Sequence, residues 1–503
     1  MYESFVNLVK SSKTTHIFGD NKEVLTREEG KNLVNNIANK IYCNLPKSRL
    51  NQNPIAILLP RNNFYLASIF ATWQLGDYFI PLNLDWPIDH VNKILELCKP
   101  SLVLVESKNE LINGKQLVID NSKVQKKNEN FWGAKRKKDG LAYVIFTSGS
   151  TGEQKGVAIS KKAYKSYISW VKEYFSEYSD NRKLLITAEL TFDITLGDIA
   201  FSLAHDVELH VSPSSQNIIM HASMIKNRGI DTFYSVPSTI NRLYSWLNQR
   251  KSDVMKNIKL VKSGGDTFSV GLIQMVKTLS PKASFFNVYG PTELTINCCA
   301  LRIDNIIDDI IMLESVPIGK PFDHLDAKLL SEDSNGLKSF DNDMGELIIS
   351  GDQSMDGYLN DKGKTFKSFI EFNGKSYYRT GDLVQRKNGN LMIIGRIDKL
   401  VKIKGYRINP SEIENILSKI KTVDEIKIIL VDKDLDPKLI SFIVSTDTDT
   451  DIDKIMDYCL QNLPSYMVPY KIIFIKKLPT GISGKYDVSK LEQMWDKNEY
   501  EQI

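Results

Sequence analysis

The chain has 503 residues, of which 42% are hydrophobic and 25% charged, and this balance excludes a disordered protein, a collagen-like repeat and a disulfide-stapled miniprotein. The length suggests two to four domains. Lys and Arg (65) nearly cancel Asp and Glu (61), so the net charge of +4 predicts no nucleic-acid partner. The densest basic run, residues 134–138, is interpreted as a solvated loop.

The cysteines and the hydropathy pattern predict a cytoplasmic protein. The five cysteines are odd in number and form no C-x-x-C pair, so reduced, buried thiols are expected rather than a disulfide framework. The N-terminus has no basic start followed by an apolar run, and no stretch approaches the ~18 consecutive apolar residues that span a bilayer. We therefore predict no membrane partner.

The first elements along the chain alternate between strands and helices. Residues 55–59 are predicted as a buried strand. Within Ile88–Cys98, apolar residues recur at the i, i+3, i+4, i+7 spacing of one helix face, and Leu102–Val105 follows as another strand. This rhythm predicts parallel α/β layers.

The segment FTSGSTGEQKG (146–156) is a candidate phosphate-binding loop. Its glycines allow the backbone to curl so that successive N–H groups point inward, and four hydroxyls and one lysine within nine residues add donors for phosphate oxygens. A predicted strand, 142–146, leads into it, which favours a phosphate loop over a flexible Gly/Ser linker. The Walker A pattern does not occur in the sequence.

The last hundred residues predict a small α+β domain. Asn409 as an N-cap, followed by Pro410 at the first helical position, predicts a helix start. Strands at Glu425–Val431 and 439–444, a capping loop at 446–451 and a helix at 452–463 are predicted after it. We place the domain boundary near Asp398.

Nine short motifs follow one another along nearly the whole chain: LGDYFIPL (75–82), NVYGPTE (287–293), GEL (345–347), GYL (357–359), YRTGDL (378–383), GRID (395–398), KIKGYRI (402–408), LPSYMVP (463–469) and SGK (483–485). In this order they resemble the adenylate-forming superfamily, specifically the amino-acid adenylation domains of nonribosomal peptide synthetases and the D-alanyl carrier protein ligases. The resemblance implies an α/β fold with a large N-terminal domain of layered α/β subdomains (1–397), and a small mobile α+β C-terminal domain (398–503) hinged at Asp398.

The resemblance also implies a two-step reaction that uses ATP and Mg²⁺. A carboxylate attacks the α-phosphorus of ATP to give an acyl-adenylate and pyrophosphate, and the acyl group then passes to a thiol, usually the phosphopantetheine of a carrier protein. Lys485 is implied as the catalytic residue, because it can bridge the substrate carboxylate and the α-phosphate. Glu293 is implied as a Mg²⁺ ligand. The implied ATP-binding residues are Thr147, Ser148, Gly149, Ser150, Thr151, Gly152, Lys155, Asn287, Tyr289, Gly290, Thr292, Asp382 and Arg396.

Asp193 predicts that the carboxylate substrate is a small amino acid. In the family an aspartate at this position pairs with the α-ammonium group, and a desolvated ammonium needs a counter-charge; the alternative is a helix N-cap. The other implied pocket residues are Ile194, Gly197, Ser235, Lys262, Gly264, Val288, Ile296 and Asn297. This mixed lining predicts a small to medium side chain. Lys262 is expected to reach solvent, the alternative being that it points inward and counters an acidic side chain.

The short segment after Lys485 predicts a stand-alone enzyme that loads a separate carrier protein. Eighteen residues follow Lys485, too few for a carrier domain. Gly264 stands where D-alanyl ligases typically carry cysteine, which argues against that specific identity. Two alternatives stay open, a carboxylate–CoA ligase and a non-catalytic nucleotide-binding or partner-binding relative. Intact Lys485, Asp382 and Glu293 argue against the second.

Overall fold

The protein, seen in a computed structural model, is described here for residues 15–46, 52–86, 88–120, 140–148, 154–179, 182–266, 270–304, 316–332, 338–340, 342–397, 401–403, 406–408, 410–431, 438–445, 451–463, 467–481 and 484–500. The strands before residue 322 are β1 (His16–Gly19), β2 (Val24–Thr26), β3 (Pro54–Leu58), β4 (Tyr78–Pro81), β5 (Leu102–Val105), β6 (Gln116–Val118), β7 (Leu141–Ser148), β8 (Gln154–Ser160), β9 (Lys183–Ile186), β10 (Glu208–Val211), β11 (Thr232–Ser235), β12 (Leu260–Gly264), β13 (Ser284–Tyr289), β14 (Cys299–Arg302) and β15 (Lys320–Pro321). Those that follow are β16 (Asp326–Glu332), β17 (Lys338–Ser339), β18 (Met344–Ser350), β19 (Gly357–Tyr358), β20 (Phe369–Phe372), β21 (Lys375–Lys387), β22 (Asn390–Arg396), β23 (Val401–Ile403), β24 (Tyr406–Ile408), β25 (Glu425–Val431), β26 (Lys438–Val444) and β27 (Lys471–Phe474).

The helices mostly alternate with the strands in the first 280 residues. They are α1 (Arg27–Asn44), α2 (Asn63–Gln74), α3 (Ile88–Cys98), α4 (Lys161–Tyr174), α5 (Asp193–His205), α6 (Ile218–Arg228), α7 (Pro237–Gln249), α8 (Val270–Leu279), α9 (Lys362–Lys367), α10 (Pro410–Leu417), α11 (Ile452–Asn462) and α12 (Val488–Asp496). Capping side chains determine where several of these helices begin. Thr26 and Glu29 form a capping box at α1, and the Asn62 side chain caps α2.

The described residues of the N-terminal part form three sheets. A seven-stranded sheet has the order β19-β8-β7-β4-β3-β5-β6, and a nine-stranded sheet has the order β15-β14-β13-β12-β11-β9-β10-β1-β2. A third, antiparallel sheet is ordered β17-β16-β18-β21-β20, with β22 paired to β21. Buried side chains of all three sheets and of α1, α2, α4 and α5 pack into one large hydrophobic core.

Among the described residues after 400, β23 and β24 form a two-stranded sheet, and a separate three-stranded sheet has hydrophobic cores on its two faces. β25 pairs antiparallel with β26, and β26 pairs parallel with β27. Helices α10 and α11 cover one face through residues such as Ile413 and Ile455, and α12 covers the other through Leu491. The boundary at Asp398 lies outside the described residues.

These features confirm the predicted mixed α/β architecture with a large and a small part. Helix 88–98 and strand 102–105 have the predicted bounds, and the helix predicted over 452–463 ends at Asn462. All five cysteines are free, and four are buried; Cys43 is exposed, contrary to the expectation of buried thiols, because it lies on the solvent side of α1. Within the described residues, no helix is both long and apolar enough to cross a bilayer.

Candidate active site

The candidate site lies where four neighbouring strands of the nine-stranded sheet end. β9, β11, β12 and β13 pair in parallel, so their carboxyl ends share one edge of the sheet. The chain after β9 enters α5 at Asp193, β12 ends at Gly264, and β13 ends at Tyr289. This edge therefore gathers predicted site residues that are far apart in sequence.

Asp193 is a buried carboxyl group at the start of α5. It is 5% exposed, and Phe192 occupies the N-cap position, so Asp193 does not cap the helix. Burial raises the pKa of Asp193 to about 6, and the charge of Glu293 adds to the rise. A hydrogen bond from Thr292 and the charge of Lys485 act in the opposite direction. The ionised carboxylate of Asp193 is destabilised by burial, and a positive charge next to it would offset this loss of stability.

Lys485 reaches this edge from the C-terminal part of the chain. Its Nζ lies 5.5 Å from the ring centroid of Phe192, the residue before Asp193. The Ser238 hydroxyl donates to the Gly484 carbonyl, which fixes the segment against the start of α7. The two residues predicted to contact opposite ends of the substrate, Asp193 and Lys485, thus lie at one place.

Three of the predicted nucleotide-binding residues form one hydrogen-bonded group. The Tyr289 hydroxyl donates to Oδ2 of Asp382 (2.5 Å), and Nη1 of Arg396 donates to Oδ1 (2.8 Å). Asp382 and Arg396 are cross-strand partners on β21 and β22, and Asp382 is buried. Both carboxylate oxygens of Asp382 therefore accept hydrogen bonds from predicted nucleotide-binding residues.

Asn287 and Gly290 lie on and just after β13. The Asn287 side-chain amide nitrogen donates to the Pro317 carbonyl (2.7 Å), which leaves the amide oxygen as an acceptor. A Cβ at Gly290 would lie 2.5 Å from Cα of Asn297, so this close approach of two backbones requires glycine.

Glu293 and Lys155 flank the same aromatic ring. Tyr358 donates its hydroxyl to Oε1 of Glu293 (2.7 Å), and Nζ of Lys155 lies 5.3 Å from the Tyr358 ring centroid. Lys155 pairs with Thr147 across the β7–β8 hairpin, which forms the two stems of the predicted phosphate loop. For Ser148 only the backbone is described, and Gly149, Ser150, Thr151 and Gly152 lie outside the described residues.

Glu293 fits a Mg²⁺ ion that is shared with phosphates. The described residues contain no group of three or more His, Cys, Asp or Glu side chains able to hold a metal by themselves. Mg²⁺ commonly takes one or two carboxylates together with substrate phosphates and water, so a single carboxylate beside a phosphate loop is a suitable donor set.

Lys262 is buried, and the prediction that it reaches solvent is wrong. Its exposed fraction is 3%. Nζ lies 3.9 Å from Oδ1 of the fully buried Asp198, and 4.6 and 5.0 Å from the ring centroids of Phe201 and Tyr234. Burial lowers the pKa of Lys262 to about 8, while the Asp198 charge opposes that fall. The neighbouring carboxyl group, Asp198, belongs to a helix residue that no motif contains, so the burial of Lys262 could not be predicted from the motifs.

The remaining predicted pocket residues are buried at the same edge: Ile194, Gly197, Ser235, Gly264, Val288, Ile296 and Asn297. The strand register corrects one of them. Tyr234 pairs with Lys262, and Ser235 pairs with Ser263. Because side chains alternate along a strand, Tyr234 shares the face of Lys262 and Gly264, and Ser235 points to the other face. Sequence reasoning missed Tyr234, since the motif comparison identified its neighbour.

Sequence reasoning also missed Gln353, which holds the turn between Glu293 and the pocket. Thr295 and Ile296 have φ of 57° and 76°, a left-handed conformation that is costly for β-branched residues. The fully buried Gln353 donates from Nε2 to the carbonyls of Leu294 (3.1 Å) and Asn297 (2.8 Å). Its own carbonyl accepts from the Thr295 hydroxyl (2.6 Å). No motif contains Gln353, although it lies between GEL and GYL.

Arg61 is a third missed residue, and it connects the two large sheets. It follows β3, yet Nε donates to the Ser212 carbonyl and Nη1 to the Ala188 carbonyl, both at 2.8 Å. Nη2 lies 3.4 Å from the carbonyl oxygens of residues 186 and 187. The guanidinium therefore fixes the segment that leads from β9 to Asp193.

The comparison with known families identifies the class of this site. The AMP-binding enzyme family matches residues 8–359, and the AMP-binding enzyme C-terminal domain matches residues 412–485. The chain belongs to the AMP-binding enzyme family. The resemblance to adenylate-forming enzymes is thereby confirmed, and such enzymes use ATP with Mg²⁺, in agreement with the predicted cofactors.

Individual relatives of this AMP-binding enzyme differ in size. The chain is 26% identical over 511 residues to the D-alanine–D-alanyl carrier protein ligase of Bacillus licheniformis, covering 98% of this chain and 99% of that ligase. It is 27% identical over 447 residues to gramicidin S synthase 2 of Brevibacillus brevis, covering 87% of this chain but only 10% of the synthase. The matched region is thus about a tenth of the synthase.

Solved structures share the fold. IdnL7 superposes with a TM-score of 0.81 at 20% identity, covering 99% of both chains. Klebsiella oxytoca NpsA in complex with 3-hydroxyanthranilyl-AMSN superposes with a TM-score of 0.80 at 18% identity, covering 98% of this chain and 99% of NpsA. The large N-terminal and small C-terminal arrangement is therefore that of the adenylate-forming ligases.

Proposed function

We propose that this adenylate-forming ligase activates an amino acid as aminoacyl-AMP and transfers it to the phosphopantetheine thiol of a separate carrier protein. The observation that carries the amino-acid part is the buried Asp193, with Lys485 beside it. Asp193 would bind the α-ammonium group, and Lys485 would contact the substrate carboxylate and the α-phosphate. A small zwitterion is neutralised at both ends by this pair.

In the first step, a carboxylate oxygen of the amino acid attacks the α-phosphorus of ATP. The bond from that phosphorus to the bridging oxygen breaks, and pyrophosphate leaves. Both reactants are anionic, so Lys485 would reduce their repulsion and align the attack. Mg²⁺ held by Glu293 would supply positive charge to the phosphate oxygens.

The nucleotide would bind through the residues placed around β13 and β21. Tyr289 would stack on adenine, and the free amide oxygen of Asn287 would accept from its amino group. Asp382 would accept from the ribose hydroxyls, beside Arg396. Thr292 would exchange its hydrogen bond to Asp193 for one to the α-phosphate. The phosphate loop, with Thr147, Lys155 and the residues 148–152 between them, would hold the remaining phosphates.

In the second step, the thiol sulfur attacks the aminoacyl carbonyl and AMP leaves. For this step we propose that the domain 398–503 rotates about Asp398, removes Lys485 from the site and presents residues 402–407. The relative from B. licheniformis, named as a carrier protein ligase, supports a carrier as the acceptor.

The test is amino-acid-dependent ATP–pyrophosphate exchange, followed by transfer to a panel of phosphopantetheinylated carrier proteins or to CoA. The exchange panel contains glycine, both enantiomers of alanine, β-alanine, larger L-amino acids and amine-free acids. We expect exchange with an amino acid, lost in Asp193→Ala and in Lys485→Ala. Lys490→Ala, an exposed lysine of α12, is the matched control and should keep exchange.

Two results would overturn the proposal. Exchange only with amine-free acids would refute the role of Asp193 and, with CoA as acceptor, would make the enzyme a carboxylate–CoA ligase. ATP binding without exchange for any acid would identify a non-catalytic relative.

A further inference from the structure

The ring of Tyr234 lies between two glycines of the predicted substrate pocket. A Cβ placed on Gly197 of α5 would be 3.2 Å from Cε1 of Tyr234 and 3.2 Å from Cγ2 of Ile296. A Cβ placed on Gly264 of β12 would be 3.0 Å from the Tyr234 hydroxyl and 2.3 Å from the Val288 carbonyl. The two glycines therefore do not leave an open pocket, because the aromatic ring occupies the space between helix and strand.

Hydrogen bonds fix this ring in place. The Tyr234 hydroxyl donates to Oδ1 of Asn297 (2.9 Å), and Nδ2 of Asn297 donates to the Tyr167 hydroxyl (2.9 Å). Tyr234, Asn297 and Tyr167 are 1%, 3% and 2% exposed. Moving the ring aside would break a buried hydrogen bond and leave its partners unsatisfied, which is costly.

Two buried ionisable side chains, Lys262 and Asp198, lie beside this ring. Nζ of Lys262 is 5.0 Å from the Tyr234 ring centroid and 3.9 Å from Oδ1 of Asp198, and burial raises the pKa of Asp198 and lowers that of Lys262. A substrate side chain that reached Lys262 would have to displace the Tyr234 ring. The ring thus opposes large side chains, including acidic ones long enough to reach Lys262.

We infer that Tyr234, held by Asn297 and Tyr167, is the specificity-determining residue of the site, and that the substrate side chain is no larger than a methyl group. This inference rests on the proposed amino-acid activation, and it narrows the substrate to glycine or alanine. Each carbon atom that a substrate side chain carries beyond a methyl group has to displace packed atoms. A single methylene in a hydrophobic pocket already changes the ratio of kcat/KM values for two substrates by roughly 10–200-fold.

The experiment compares kcat/KM in ATP–pyrophosphate exchange for glycine, L-alanine, D-alanine, L-valine, L-leucine, L-phenylalanine and L-glutamate. In the wild-type enzyme we expect kcat/KM for glycine or one alanine enantiomer to exceed that for valine, leucine, phenylalanine and glutamate by at least 100-fold. Efficient exchange with any of these four would overturn the inference while leaving amino-acid activation intact. Exchange only with amine-free acids would instead overturn the proposed function.

Variants test whether Tyr234 is the cause. Tyr234→Ala should raise kcat/KM for leucine at least 10-fold relative to that for alanine. Tyr234→Phe keeps the ring but loses its hydrogen bond to Asn297, so it should raise this ratio less than Tyr234→Ala does. Ile296→Ala, on the other side of Gly197, is a second route to a larger pocket if Tyr234→Ala does not fold. An unchanged leucine-to-alanine ratio in a folded Tyr234→Ala enzyme would refute the role of Tyr234.

Discussion

Replacing Asp193 with asparagine should stabilise the protein while abolishing its amino-acid activation. The pKa of Asp193 is raised from its ordinary value of 3.8 to about 6 by burial, against the opposing effects of Thr292 and Lys485. Each pKa unit corresponds to 1.36 kcal/mol, so the ionised carboxylate destabilises the unliganded fold by roughly 3 kcal/mol at neutral pH. Asparagine has nearly the same shape and no charge to desolvate.

The sign of the effect follows from proton linkage. The folded state holds its proton more tightly than the unfolded state, so the stabilising contribution of protonated Asp193 is fully present below about pH 4. It is lost as the pH rises through about 6. The Asp193→Asn variant should therefore match the wild type near pH 4 and exceed it in stability above pH 6.

Thermal unfolding measured without ligands, at pH 4.5, 6 and 8, checks this dependence. With an unfolding entropy of about 2.1 cal/mol/K per residue, 3 kcal/mol corresponds to a rise in Tm of about 3 °C at pH 8 for cooperative unfolding of the chain. Exchange activity of the same variant should fall by at least 100-fold, because the ammonium group loses its counter-charge. A variant that is less stable than the wild type at pH 8, or a gain that does not shrink toward pH 4.5, would refute the reasoning.

Two further predictions concern the positioning residues that no motif contains. Gln353→Leu removes both side-chain donors from the strained turn, so it should lower the Tm by several degrees and kcat/KM by at least 10-fold. The reason is that two buried carbonyls lose hydrogen-bond partners, at ~1–3 kcal/mol each. The control Gln274→Leu, on the exposed face of α8, should change neither quantity. Arg61→Lys keeps the charge but not the planar fork, so KM for the amino acid should rise at least 10-fold while KM for ATP changes less than threefold. Arg386→Lys, which is exposed, should leave both constants unchanged, and equal rises in both KM values for Arg61→Lys would contradict a specific role in placing Asp193.

Elements that depend on local patterns could be predicted well from the sequence. Helix 88–98 follows from its apolar spacing, and the strand–helix alternation predicts the parallel sheets. The family could be predicted because nine short motifs occur in a fixed order, and it is confirmed by the matches to residues 8–359 and 412–485. The family resemblance implies ATP-binding roles for Tyr289, Asp382 and Arg396, but it does not predict the hydrogen bonds that join them.

The parts of the site that could not be predicted depend on strand register and on contacts between distant segments. The burial of Lys262 requires Asp198, which lies 64 positions earlier and carries no motif. Whether Tyr234 or Ser235 faces the pocket depends on a single-residue register, since a shift of one residue turns a strand side chain to the other face. Gln353 lies 56 residues after Asn297, whose carbonyl accepts its hydrogen bond, and secondary-structure propensity does not predict a contact between such distant residues.

Two of the unforeseen residues, Gln353 and Arg61, share a physical role, which is to stabilise energetically unfavourable arrangements in the site. Ionised Asp193 is desolvated, and Thr295 and Ile296 are left-handed. Hydrogen bonds from neighbouring side chains keep each arrangement in place. Gln353 donates to the strained turn, and Arg61 donates to the segment before α5. Natural proteins tolerate such local costs where a binding site needs fixed charge and shape. Substitutions that relieve them should therefore raise stability and lower activity together, a coupling that substitutions in the hydrophobic core would not produce.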